Sequence, residues 1–194
     1  SNLLLLLFLF FPVYLFSQGE NDYVIYLDSR YTKSNDKDYH FIKVIKDYYI
    51  VKEEYTVELY YKSGKLKQIG VSQDKDYSKY NGYLSSFYEN GTLQNKVLYK
   101  DGKPISTYKS WYENGKKRDE GRYIVDNSNP TNDPILRISQ YWDENDIQKV
   151  INGQGVYLEQ SESLSLSGTL KNGLKDGTWI GKDNDYRITF TENY

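Results

Sequence analysis

"SWYENGKKRDEGRY", residues 110–123, sets two large aromatics and an acid ahead of Asn-Gly, followed by a short basic run and a second acidic pair. Asn and Gly accept the positive φ angles that tight hairpin turns demand, so the dipeptide marks a reversal between two short strands. Lys116, Lys117 and Arg118 invite reading as a small anion site. Asp119 and Glu120 follow at once, and a solvated strand edge protected by charge is the simpler account.

The same pattern recurs outward from this stretch. "ELYYKSGKLKQIG" begins at Glu58, "SSFYENGTLQNKV" at Ser85 and "KSWYENGKKRDEG" at Lys109, and an eroded copy, "SQYWDENDIQKVI", begins at Ser139. The turn glycines Gly64, Gly91 and Gly115 are 27 and 24 residues apart, and Asp146 stands where the fourth would be. A period in the twenties means stacked supersecondary units, none of which buries its apolar face alone. Asn90 and Asn114 precede two of these glycines. "YKDGK" at 99–103 and "KNGLKDGTW" at 171–179, with Gly173 and Gly177, add further turns. Turns this frequent leave little room for crossover helices and predict an all-β antiparallel meander of repeated hairpins. Tyr, at 22 of 194 residues, suits half-buried pleated strands.

Composition narrows the function classes. A net charge of −2 gathers neither nucleic acid nor anionic lipid. With one His, His40, and no Cys, neither a Cys- or His-rich zinc site nor a Cys–His pair exists, and no Gly-rich nucleotide motif occurs. No catalytic residue, cofactor or metal is expected. His40 reads as a half-buried strand residue. A pair of glycosidic carboxylates stays open, because 27 acids are present and their distances are not legible. Asp126, Asn127, Asn129, Asn132 and Asp133 are oxygen ligands without the spacing of a calcium loop.

Residues 3–16, "LLLLLFLFFPVYLF", are an uncharged run shorter than a bilayer span, followed by Ser17-Gln18. This predicts a signal peptide over 1–17, with cleavage after Ser17, export to the periplasm, outer surface or medium, and no membrane insertion afterwards. A retained anchor is the rival reading. The leader, 18–54, is ambiguous: Phe41, Val44, Ile45 and Tyr48 fit a helical face, whereas "FIKVI" and "YYIVKEEYTVELYY" fit strands by residue type, and strands packing on the first repeat are preferred. The hairpin repeats are expected over 55–182, a loop inserted at 126–134, and a capping strand at 183–194. "NDKDY", "QDKDY" and "KDNDY" at 35, 73 and 182 read as exposed turns.

"YYKSGKL", "FYENGTL", "WYENGKK" and the later "GTLKNGLKDGTWIGK" resemble the bacterial variant of the MORN (membrane occupation and recognition nexus) repeat over about residues 55–182. The resemblance implies an elongated, twisted sheet of successive hairpins, common in exported envelope proteins and in proteins labelled antitoxin-like. Members described as lipid-binding rely on basic surfaces, from which this acidic chain departs.

Period-two alternation sorts each first strand into two faces. One carries Val57, Leu59, Tyr61; Leu84, Ser86, Tyr88; and Tyr108, Ser110, Tyr112, and is uncharged, as a buried face would be. The other mixes charge with one large ring per unit: Tyr60, Phe87, Trp111 and Trp142. Those four could form an aromatic ladder for a protein or envelope polymer, or simply pack as cross-strand pairs. The expected function is a non-enzymatic exported module for protein–protein or envelope-surface interaction. Carbohydrate binding or glycan processing through the same ladder, and an antitoxin-like inhibitor, are the alternatives.

Overall fold

The coordinates are a computed structural model and describe residues 19–75, 79–125, 133–161 and 163–194. The described chain forms fourteen strands: β1 (Tyr23–Leu27), β2 (Phe41–Ile45), β3 (Tyr55–Tyr61), β4 (Leu66–Ser72), β5 (Gly82–Phe87), β6 (Leu93–Lys100) and β7 (Lys103–Trp111), then β8 (Lys117–Ile124), β9 (Ile135–Trp142), β10 (Gln148–Ile151), β11 (Gln154–Gln160), β12 (Leu164–Lys171), β13 (Leu174–Asp183) and β14 (Ile188–Asn193). Every strand pairs antiparallel with its neighbour in sequence, giving one open sheet in the order β1 to β14. The all-β meander expected from the turn spacing is therefore the fold. The apolar run at 3–16 and most of the 126–134 segment lie outside the described residues.

One turn recurs along one end of the sheet. At 61–65, the Tyr61 N–H donates to Lys65 O (2.8 Å) and the Gly64 N–H to Tyr61 O (2.9 Å), with Gly64 at φ 82°. This is a type I turn closed by a left-handed residue. It repeats at 88–92 and 112–116 with Gly91 and Gly115. It repeats again at 28–32, 143–147 and 183–187, where the left-handed residue is Tyr31, Asp146 or Tyr186. Asp146 thus leaves the fourth hairpin intact. The three glycine-free copies all begin with Asp, whose Oδ1 accepts the N–H groups two and four residues on: Arg30 and Thr32 for Asp28, Asn145 and Ile147 for Asp143, Asp185 and Arg187 for Asp183. That carboxylate cap offsets the strain of a side chain at positive φ.

At the opposite end, tight reversals fall at Asp101-Gly102, Asn152-Gly153 and Asn172-Gly173, with positive φ at each of the six residues. The last two fold back on β9: the Ile138 N–H donates to Gly173 O (3.0 Å), the Gly173 N–H to Gly153 O (2.9 Å) and the Gly153 N–H to Ser139 O (2.8 Å). A Cβ on Gly153 would lie 2.6 Å from the Gly173 nitrogen, so this approach requires a bare backbone. The sheet coils there around Trp179, which is 0% exposed, with Ile138, Tyr141, Val150, Tyr157, Leu166 and Leu170. A second buried group, Ile42, Val44, Ile45, Tyr55, Val57 and Leu59, lies in β2 and β3.

Four expectations need correction. Gly177 is not at a turn: it lies inside β13 at a bulge, where Thr169 pairs with Asp176 but Ser167 with Ile180. Residues 48–54 are not strand, because Asp47 at φ 54° turns the chain out of β2, and Asp22 fixes that turn by accepting the Asp47 N–H (3.0 Å) and Lys46 Nζ (2.9 Å). His40 is exposed and precedes β2. The basic run is not an edge, since β8 pairs with both β7 and β9.

Candidate functional site

Tyr60, Phe87, Trp111 and Trp142 occupy one equivalent place. Each directly precedes the first residue of a repeated turn, and each pairs across it with the first residue of the next strand: Leu66, Leu93, Lys117 and Gln148. All four are half-buried, and no ring contact joins any two of them among the described residues. Equivalent positions are two strands apart, about 10 Å, which is too far for side-by-side rings to touch. The four rings therefore form a spaced row rather than a stack. Lys117 Nζ lies 5.3 Å above the Trp142 ring, and the Tyr60 hydroxyl donates to Glu58 Oε2 at 2.8 Å. Burial and then that carboxylate push the Tyr60 phenol well above its ordinary range.

A second regularity, on the opposite face, holds this row in place. The Tyr61 hydroxyl donates to Phe87 O (2.8 Å), Tyr88 to Trp111 O (2.9 Å) and Tyr112 to Trp142 O (2.9 Å). The first turn residue of each unit thus ties down the backbone of the next unit's ring. The run of tyrosines ends at Asp143, which caps its own turn instead. Six residues beyond each first turn residue, a bulge presents Lys67, Gln94, Arg118 or Lys149. Each meets that residue. Lys67 Nζ is 4.6 Å from the Tyr61 ring centre, Arg118 lies 5.7 Å over Tyr112, Lys149 pairs with Asp143 at 3.4 Å, and Gln94 is near enough to bear on the Tyr88 phenol. Sequence reasoning missed both regularities. The signal was the i to i+6 pairing of Tyr with a long polar side chain in three copies.

The expected edge cations behave differently from one another. Lys117 is exposed and pairs with Glu120 at 2.9 Å, whereas Arg118 turns into the coil beside Asp119. Asp119 is 2% exposed, accepts the Ser110 hydroxyl on Oδ2 at 2.6 Å and has Arg118 Nε at 3.6 Å. Arg118 Nη2 donates to Leu158 O at 3.2 Å. Burial pushes the Asp119 carboxyl up, against the pull of Arg118 and Ser110. The Tyr157 phenol is near enough to bear on that charge, although Asp119 Oδ1 makes no well-formed hydrogen bond. A perturbed carboxylate is a common mark of an active site. Here its partners Ser110 and Arg118 are strand residues of β7 and β8, and Arg118 joins β8 to β11 through Leu158 O rather than opening on a cleft.

Among the described residues, no three His, Asp or Glu side chains come together as a metal site. Of the residues 126–133 read as oxygen ligands, only Asp133 is described, and it pairs with Lys103 at 3.4 Å.

Residues 80–101 and 106–124 match the family model of the MORN repeat variant. Both segments are MORN repeat variants. They span β5–β6 and β7–β8, each MORN hairpin centred on an Asn-Gly turn, and the hairpins β3–β4 and β9–β10 carry the same turn and bulge. MORN repeats are in general non-catalytic binding modules. Comparison with curated proteins and with solved structures gave no match.

Proposed function

We propose that this protein is an exported, non-catalytic β-repeat module that holds a protein or polymer of the cell envelope along the face bearing Tyr60, Phe87, Trp111 and Trp142. The observation that carries the reading is the structural equivalence of those four positions, each fixed by a bulge and three of them by a tyrosine tie from the preceding unit. Rigid aromatic faces on a pinned backbone supply contact area at small entropic cost. A spacing of about 10 Å corresponds to roughly three residues of an extended chain, so a repetitive or extended partner meets the rings in register. The apolar run at 3–16 supports export.

Crosslinking of tagged full-length protein in envelope extract is the test. Wild type should recover a discrete partner, and the double variant Phe87→Ala/Trp111→Ala should lose it while keeping its melting temperature within a few degrees. Equal recovery by both forms, or none by either, sinks the proposal, and a cytoplasmic pool of the tagged protein removes its export half.

A further inference from the structure

Arg122 and Arg137 are direct cross-strand partners in β8 and β9, two cations side by side in a chain whose net charge is −2. Like charges set directly opposite one another destabilise a sheet. Neither guanidinium has a hydrogen bond or an ion pair to any described residue, and Arg137 Nε is buried without an acceptor. Glu120, two residues from Arg122 along the same strand, is committed to Lys117 at 2.9 Å. The strand ladder thus holds the two arginines together against their own repulsion. Around them the fold leaves room. The turns Asn152-Gly153 and Asn172-Gly173 fold back on β9 beside the pair, and Arg122, Arg137, Ser139, Asn152 and Asn172 line a groove of about 290 Å³. A Cβ on Gly173 would come 3.1 Å from Arg137 Cβ, so bare backbone gives the arginine stem its course. Asn152 Oδ1 accepts Gln140 Nε2 at 3.3 Å, and the Asn172 side chain has no hydrogen bond to a described residue.

We propose that this groove binds the phosphate monoester of a sugar phosphate. One guanidinium fork already matches the two oxygens of a carboxylate, whereas two forks side by side fit an anion with three terminal oxygens. At pH 7 a phosphate monoester carries a charge of about −1.5 to −2, close to the two positive charges it would meet, while a sulfate ester brings only one. The Asn152 and Asn172 amides, each able to donate and accept, fit the hydroxyls beside the phosphate. An anionic bilayer is the poorer source of the group, because the net charge of the chain opposes approach to it. The inference rests on the arginine pair and the turns around it, and needs neither the aromatic row nor export.

Calorimetric titration at pH 7 and low salt tests it with glucose 6-phosphate, glucose 6-sulfate, glucuronate and a phosphoserine tripeptide, and flotation with phosphatidic acid vesicles tests the lipid source. Glucose 6-phosphate should bind at least about tenfold more tightly than the other soluble probes, an ordinary margin for one charge-assisted contact, and the vesicles should float without the protein. Arg122→Gln should weaken the sugar phosphate about tenfold. Because that change also removes the like-charge pair, the variant without ligand should melt no lower than wild type, whereas a purely structural arginine would lower the melting temperature. Equal binding of the sulfate, the glucuronate or the phosphopeptide, capture by the vesicles, no binding of glucose 6-phosphate, or an Arg122→Gln chain that binds as wild type or melts lower each overturns the proposal. The comparison of probes needs only the wild-type chain, so it stands even where a variant fails to fold.

Discussion

The hairpins β3 to β8 and the coil β9 to β14 use one turn but cohere in different ways. β5 has no fully buried residue and β6 only Val97, whereas the coil packs six buried side chains about Trp179. Along β5 to β8, where few side chains are buried, tyrosine hydroxyls supply the ties between units, each crossing to the next unit's backbone. In the coil the turns at 143 and 183 begin with Asp, which bonds within its own hairpin, and apolar burial joins the units instead. A repeat array thus has two ways of securing neighbours, directional ties or a shared core, and the residue that opens the turn is where the two diverge.

The broadest way to break this contrast is alkaline titration, which attacks both regions. Burial raises the phenols of Tyr61, Tyr88 and Tyr112 in the array and of Tyr141 and Tyr157 in the coil above the ordinary value of 10.0, and brings Tyr123 to about 12. The folded chain then holds protons that the unfolded chain has lost, so stability falls as pH rises above about 10. Lys43 has the opposite sign. Its lowered value lets the unfolded chain bind the extra proton, so it contributes a rise between about 8 and 10.5. Chemical denaturation from pH 7 to 12 should show a shallow rise and then a steep fall, and Lys43→Met should flatten only the rise.

Trp179→Ala should cost about 4 kcal/mol, because the ring is wholly buried and lies against Gly168, where a Cβ would come 2.5 Å from it. Urea unfolding followed by hydrogen exchange should show protection lost from β9 to β13 before β3 to β8. Uniform loss across the sheet would show that the array draws its stability from the coil. Tyr88→Phe is the matching change in the array and should cost about 1 kcal/mol by removing one tie to Trp111 O. The triple change at Tyr61, Tyr88 and Tyr112 should cost about three times as much, since the sites share no partner and are about 10 Å apart.

The fold was legible because a hairpin turn is local chemistry: Asn114-Gly115 and Asp101-Gly102 each announce a reversal without reference to anything distant. Alternation likewise placed Val57 and Leu59 on a buried face and Tyr60 on the other. Gly177 misled because a bulge and a turn ask the same positive φ of a residue, and only the partner strand tells them apart. Arg118 misled for a nonlocal reason. Its sequence neighbours are charged, but a bulge turns it toward Leu158, forty residues on, and no pattern within one hairpin foresees the coil that brings Leu158 there.

Asp146 gives the finest test of how the two kinds of turn work. It adopts φ 66° with a Cβ, a conformation that costs roughly 1 kcal/mol relative to Gly, and the Asp143 cap makes it tolerable. Asp146→Gly should therefore stabilise the chain by about 0.5 kcal/mol, less than the full strain because Gly also loosens the unfolded state. Gly115→Asp makes the reverse change in a turn that opens with Tyr112 and has no carboxylate cap, so it should destabilise by more than Asp146→Gly gains. Paired urea midpoints decide the matter. Gains and losses of equal size would mean that the Asp143 carboxylate does nothing for its turn, and that the six copies differ only in which residue the left-handed position happens to hold.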